Sequence, residues 1–159
     1  MVQHLIDTVA DIKGSKIHLV VGHKPELVKN SLEVKKNTGF INQKNQLGTG
    51  HAVRQTLRHL RSNSISLVLY GDGPLVKKST LTKLISSAQK GNLSILTYRP
   101  KSPKGLGRIV RGKGGLVEQI IEEKEASPEE KRIDEVNSGI LAIKTKNLKA
   151  LVKKISNKN

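Results

Sequence analysis

Cysteine and tryptophan are absent, and one Phe and two Tyr make up the whole aromatic complement. Without cysteine there is no disulfide, no thiolate zinc site and no cysteine nucleophile, a composition that fits a reducing, cytoplasmic setting. Three aromatic side chains cannot build the stacking platform of an RNA-binding sheet. With 35% hydrophobic residues and so few rings, the core must be aliphatic, made of Ile, Leu and Val. No apolar run approaches the roughly 20 residues needed to span a bilayer. Met1 leads straight into an amphipathic pattern rather than a signal peptide, so a soluble, unexported protein with no membrane partner is expected. His4, His18, His23, His51 and His59 show no metal-ligand spacing and read as surface or helix residues. No G-x-S-x-G elbow, Walker motif or H-E-x-x-H helix occurs.

Acidic residues are also scarce. Lys and Arg number 29 against 13 Asp and Glu, a formal net charge of +16. Such an excess favours polyanions, whether nucleic acid, anionic lipid or a phosphate-rich small substrate, and charge alone does not choose among them. The lysines are spread along the chain and are denser in the acid-free stretch Lys144 to Asn159, which equally suits a solvated face. At 159 residues the chain has room for one domain with a real core, or is a piece of a larger one.

The apolar pattern is that of alternating helices and strands. Val2, Leu5, Ile6, Val9 and Ile12 recur at helical spacing up to Gly14. Lys16 to His23 is a β-branched run bounded by glycines, the pattern of a buried parallel strand. Pro25 suits the first turn of a short helix. A brief extended piece, Gly39 to Asn42, leads to Gly48-Thr49-Gly50 and a helix carrying Ala52, Val53, Leu57 and Leu60. Ile65 to Tyr70 is the clearest strand. Ser79 and Thr80 are candidate N-caps for a helix burying Leu81, Leu84, Ile85 and Ala88, and Leu93 to Arg99 is the next strand. Beyond Pro100, Gly107 to Glu123 reads as a hairpin around Gly114-Gly115, "SPEEKRI" as a short capped helix, "VNSGILAIK" as a strand and the Lys-rich tail as a helix. This rhythm predicts an α/β fold, a mostly parallel Rossmann-like sheet with helices on both faces and an added β-hairpin layer. In such sheets ligands bind at the carboxyl ends of the strands.

Several residues stand where that rule places chemistry. Glycines at the start of a helix are either punctuation or a means for backbone N–H groups to approach a ligand. Asp72, one glycine beyond a strand, is placed to hold a magnesium ion that in turn holds phosphates, or is simply the aspartate of a turn. Gln43 offers a donor and an acceptor to a pyrimidine edge, and is equally a surface glutamine. Glu122 and Asn137 lie on extended segments and can bond sugar hydroxyls or water alike.

Taken together and in order, "QKNQLGTGHAV", "LVLYGDGPL", "GLGRIVR", "IIEEKEAS" and "EVNSGILAIK" resemble the uridyltransferase domain of the bacterial bifunctional UDP-N-acetylglucosamine pyrophosphorylase/glucosamine-1-phosphate N-acetyltransferases. The opening "MVQHLIDTV" is similar to that family's first helix. The resemblance implies that Gln43, Gly48 and Thr49 contact uracil, that Tyr70 and Gly71 border the nucleotide sugar, and that Asp72 binds magnesium. It further implies that Gly107, Glu122 and Asn137 contact the N-acetylglucosamine moiety. The implied reaction transfers a uridylyl group from UTP to N-acetylglucosamine 1-phosphate, giving pyrophosphate and the cell-wall precursor UDP-N-acetylglucosamine. The sugar phosphate attacks the α-phosphorus in line, so catalysis is positioning and charge neutralisation.

The departures from the family set further expectations. Its first strand and Gly-rich phosphate loop, with their catalytic basic residues, do not precede Met1, and the later Asn of its magnesium site and its β-helix acetyltransferase domain do not follow Asn159. A partial nucleotidyltransferase domain over residues 1–159 is expected, with two strands left with open edges, binding rather than turnover, no catalytic residue retained, and no family trimer. Two rival expectations stand beside it: a sugar-1-phosphate nucleotidyltransferase of another nucleotide specificity, and a basic nucleic-acid-binding module on the same scaffold.

Overall fold

The computed structural model describes residues 2–73 and 75–155. The chain opens with helix α1 (Val2–Ala10), which buries Leu5 and Ile6. Strand β1 (Ile17–Val21) follows, and helix α2 (Pro25–Asn30) begins with the proline in its first turn, where the missing N–H is no loss. Strand β2 (Thr38–Asn42) pairs in parallel with β1. Helix α3 (Thr49–Thr56) starts directly at the Gly-Thr-Gly segment and runs into a single 3₁₀ turn over Leu57–His59. Strand β3 (Ile65–Val68), helix α4 (Lys78–Gln89) and strand β4 (Ser94–Tyr98) come next. Strands β5 (Arg108–Arg111) and β6 (Val117–Ile121) form the expected antiparallel hairpin, with Gly114 and Gly115 both at positive φ in its turn. A 3₁₀ turn at Glu130–Arg132 carries a reciprocal cap: Glu130 N–H donates to Ser127 Oγ and Ser127 N–H to Glu130 Oε2. Strand β7 (Val136–Lys144) and helix α5 (Thr145–Val152) close the described chain.

β7 organises the larger sheet. Its residues alternate between two cores, as a strand's side chains must. Ile140 and Ala142 pack on one face with Leu81, Leu84 and Ala88 of α4, while Leu141 and Ile143 face Leu148 and Val152 of α5 with Val53 and Leu57. Helices therefore cover both faces, as the α/β reading expects. The strand pairing is less parallel than expected. β7 runs antiparallel between β3 and β4, so those two strands, which point the same way, never touch, and β1–β2 is the one parallel ladder among the described residues.

A second departure concerns the start of α4. Lys77, not Ser79 or Thr80, is the N-cap, and its carbonyl accepts from the N–H groups of Thr80 and Leu81. The apolar face set by Leu81, Leu84 and Ala88 fixes the helix, and it starts two or three residues earlier than a cap at Ser79 or Thr80 would place it.

β1 pairs only with β2, and β3 only with β7, so each leaves one edge open among the described residues. Both edges run in the same direction. At one end His18 of β1 stacks on His59, just ahead of β3, with ring centroids 5.6 Å apart. At the other end Gln43 N–H is held by Val21 O, and Tyr70 Oη reaches Thr49 Oγ1 on α3. Between these edges lies a cavity of about 1470 Å³, lined by Leu19 and Val20 on one side and Leu67 and Val68 on the other. This explains why β1 and β3, expected as buried strands, have only Val21 and Ser66 buried.

Candidate functional site

The carboxyl ends of β1, β2 and β3 meet the first turn of α3. Gly48 is the helix N-cap at φ +87°, where a side chain is strained, and a Cβ built there meets no atom within 4 Å. The backbone thus enters α3 beside open space. Gln43 sits one residue past β2 and is only 8% exposed, although a glutamine usually lies in solvent. Its Nε2 lies 3.3 Å from Gly48 O and 2.8 Å from His51 Nδ1.

Past β3 the chain turns sharply, with Gly73 N–H donating to Tyr70 O at 3.0 Å, which puts Gly71 and Asp72 in the middle of the turn. A Cβ on Gly71 would be 3.6 Å from Val2 of α1. Asp72 is exposed and makes no hydrogen bond or ion pair among the described residues. Gln43, Gly48, Thr49, Tyr70, Gly71 and Asp72 all line the cavity between the β1 and β3 edges.

Gly107, Glu122 and Asn137 lie outside that lining and form a second group, just before β5, just after β6 and on β7. Asn137 N–H donates to Gly107 O at 2.9 Å, and Glu122 Oε1 would stand 3.2 Å from a Cβ on Gly107. A bulge in β7 shapes this group. Between the pairs Ile95↔Leu141 and Thr97↔Asn137, β4 advances two residues and β7 four, leaving Ser138, Gly139 and Ile140 to absorb the excess. Ser138 Oγ fills the break by donating to Leu96 O at 2.6 Å. Asn137 Oδ1 accepts from Gly139 N–H at 2.9 Å. The two groups join at Tyr70, whose ring covers Gly139 while its hydroxyl reaches Thr49 Oγ1 at 3.4 Å.

Two ion-pair systems brace the second group. Arg108 is 2% exposed, pairs with Glu123 at 2.6 Å and donates to the carbonyls of Pro103, Leu106 and Lys131. Burial would raise the Glu123 pKa, but the Arg108 guanidinium, the Gly105 N–H and the Lys131 charge together hold it below the usual value. Glu135 accepts from Arg111 Nε at 2.8 Å and from Thr97 Oγ1 at 2.5 Å. Those bonds, Arg111 first, hold its pKa at about 2 against the opposing effect of burial. At the far end of the cavity, burial and then the Lys16 and His59 charges lower the His18 pKa.

His51, Arg108, Glu123 and Glu135 are the residues that sequence reasoning passes over. His51 and Gln55 carry a signal, four apart on a helix opened by Gly-Thr-Gly. One more arginine in so basic a chain carries none.

Residues 1–130 match the MobA-like NTP transferase domain. The chain belongs to the MobA-like NTP transferase family. This NTP transferase chain is 43% identical over its 159 residues to the bifunctional protein GlmU of Marinobacter nauticus, and covers 35% of that protein. To the bifunctional protein GlmU of Saccharophagus degradans it is 40% identical over 157 residues, covering 34% of it. It thus spans about a third of the length of these curated relatives. Its fold is shared with HddC from Yersinia pseudotuberculosis complexed with GMP-PN, at TM-score 0.74 and 19% identity over 99% of this chain and 67% of that one. It is shared too with UDP-glucose pyrophosphorylase complexed with UDP-glucose, at TM-score 0.73 and 14% identity over 98% of this chain and 67% of that one. At such identities the likeness is one of fold alone. Among the described residues no helix is long and apolar enough to cross a membrane.

Proposed function

We propose that this NTP transferase chain serves uridylyl transfer from UTP to N-acetylglucosamine 1-phosphate, releasing pyrophosphate and forming UDP-N-acetylglucosamine. Its own residues supply recognition of the base and of the sugar. The observation that carries this reading is the junction at Tyr70. One aromatic side chain reaches Thr49 of the α3 group through its hydroxyl and covers Gly139, two residues along β7 from Asn137. A ligand with a base at one end and a sugar at the other matches two such groups joined in the middle. The motif resemblance supplies the uracil and N-acetylglucosamine assignments, and the relatives at 40–43% identity over the whole chain support it.

Asp72 fits a magnesium ion as one ligand only. Its carboxylate is exposed and unpartnered, and no cluster of three or more His, Cys, Asp or Glu side chains able to hold a metal occurs among the described residues. Magnesium commonly takes one or two carboxylates and completes its shell with water and substrate phosphates. When bound, the ion would neutralise phosphate charge. The net charge of +16 draws a substrate with several phosphates towards the protein.

Calorimetric titration of the chain with UDP-N-acetylglucosamine and magnesium tests the proposal, beside an Asp72→Ala variant and GMP-PN as the guanosine control. Saturable binding that is selective for uridine and weaker in the variant is expected. Equal binding of the guanosine compound, or no binding by folded protein, contradicts it.

A further inference from the structure

The environment of Gln43 fixes more than its position. Its backbone N–H is held by Val21 O at 2.8 Å, and its amide nitrogen faces both Gly48 O and His51 Nδ1. Gln55, one turn along α3, meets the other nitrogen of the same ring at 2.9 Å. Amide nitrogen and oxygen are distinguished by their partners. A carbonyl oxygen only accepts, so the Gln43 atom beside Gly48 O must be the nitrogen. Its second hydrogen then points at Nδ1, which must carry a lone pair. His51 is therefore the neutral tautomer with its hydrogen on Nε2, and the Gln55 amide, placed with its nitrogen 2.9 Å from that atom, must be turned over so that its oxygen accepts from the N–H. Both hydrogens of the Gln43 amide are taken up within the protein. Its oxygen accepts no hydrogen bond among the described residues and is not wholly buried.

We propose that His51, steadied by Gln55, is the positioning residue that turns the carbonyl oxygen of Gln43 outward, so that the site offers a nucleobase an acceptor and no donor at this point. The inference rests on the reading of Gln43 as a base contact and narrows it, because the side chain has lost the donor half of its amide to His51 and Gly48. A ring imino N–H, as in uracil, pairs with a lone oxygen. Cytosine carries a lone pair at the same ring atom and meets that oxygen with repulsion.

The test has two parts. Long-range ¹H–¹⁵N spectra of the ligand-free chain read the tautomer of His51. UDP and CDP affinities are then measured for the parent chain, His51→Phe and His51→Asn, the last of which keeps a carbonyl acceptor facing Gln43. The expected results are an Nε2–H ring and a preference for UDP of at least about fivefold in the parent, the scale set by one unpaired buried polar contact. That preference should fall within about twofold in His51→Phe and return in His51→Asn. A ring protonated on Nδ1, or the same preference in all three proteins, overturns the inference. Should neither nucleotide bind, the uridine reading above fails, while the tautomer still decides which way Gln43 is turned.

Discussion

The ring of Tyr70 lies on the backbone of Gly139, so closely that a Cβ on that glycine would overlap it. Gly139 has φ +77° inside the β7 bulge, and Asn137 Oδ1 holds its N–H. One glycine thus provides the bulge, the platform for Tyr70 and the anchor for Asn137. Replacing it should strain the backbone and displace the ring together.

Gly139→Ala is accordingly expected to lower stability by about 1–2 kcal/mol and to weaken UDP-N-acetylglucosamine binding. Tyr70→Phe should leave stability nearly unchanged, because the ring makes the contact with Gly139 and the hydroxyl only reaches Thr49 at 3.4 Å. Urea denaturation with calorimetry on the two variants checks this. A stable Gly139→Ala protein with parental affinity would remove the bulge from the account.

Arg108 should prove the most costly charged side chain to remove. It is almost wholly buried, and its loss strands the Glu123 carboxylate and three carbonyl oxygens. Arg108→Met is predicted to cost about 3 kcal/mol in urea denaturation, as breaking one side of a buried pair does. A loss below about 1 kcal/mol would mean that the pair is solvated.

Glu135 gives an acid limb to stability. Its folded pKa of about 2 lies below the ordinary value of 4.5. Its contribution is therefore fully present above about pH 4.5 and is lost as the pH falls towards 2. Because Arg99 and Arg111 are 63% and 41% exposed, solvent screening holds the effect to the order of 1 kcal/mol. Glu135→Gln should be less stable than the parent at pH 6, with the gap closing through the acid range. A gap constant from pH 6 to pH 3 in parallel denaturation curves would refute this.

The open edges of β1 and β3 make self-association depend on salt. Unpaired strand edges are templates for another chain, and the charge of +16 keeps copies apart when screening is weak. Light scattering should therefore rise with added salt. Scattering that falls with salt would point to charge-driven association instead.

Much of this was legible in the sequence, for identifiable reasons. Runs such as Ile65–Val68 and helix faces such as Leu81, Leu84 and Ala88 follow from period alone, and Gly114-Gly115 announces its hairpin. Pairing partners are a long-range property that no local pattern encodes, so the insertion of β7 between β3 and β4 was not predictable from "VNSGILAIK". The motif residues fell where the strand ends put them. That Gly107, Glu122 and Asn137 form a group apart from the cavity depends on the β7 bulge, and Ser138-Gly139 alone does not announce one. His51 was passed over because its partners, Gln43 and Gln55, become neighbours only once β2 meets α3.

Recognition of one ligand by both groups across Tyr70 is open to a titration of ¹⁵N-labelled chain with UDP-N-acetylglucosamine and magnesium, following backbone amide shifts. Gly48 and Thr49 on one side, and Gly107 and Asn137 on the other, should shift together with a single midpoint. Shifts confined to one group, or scattered over exposed lysines with no midpoint, would contradict it.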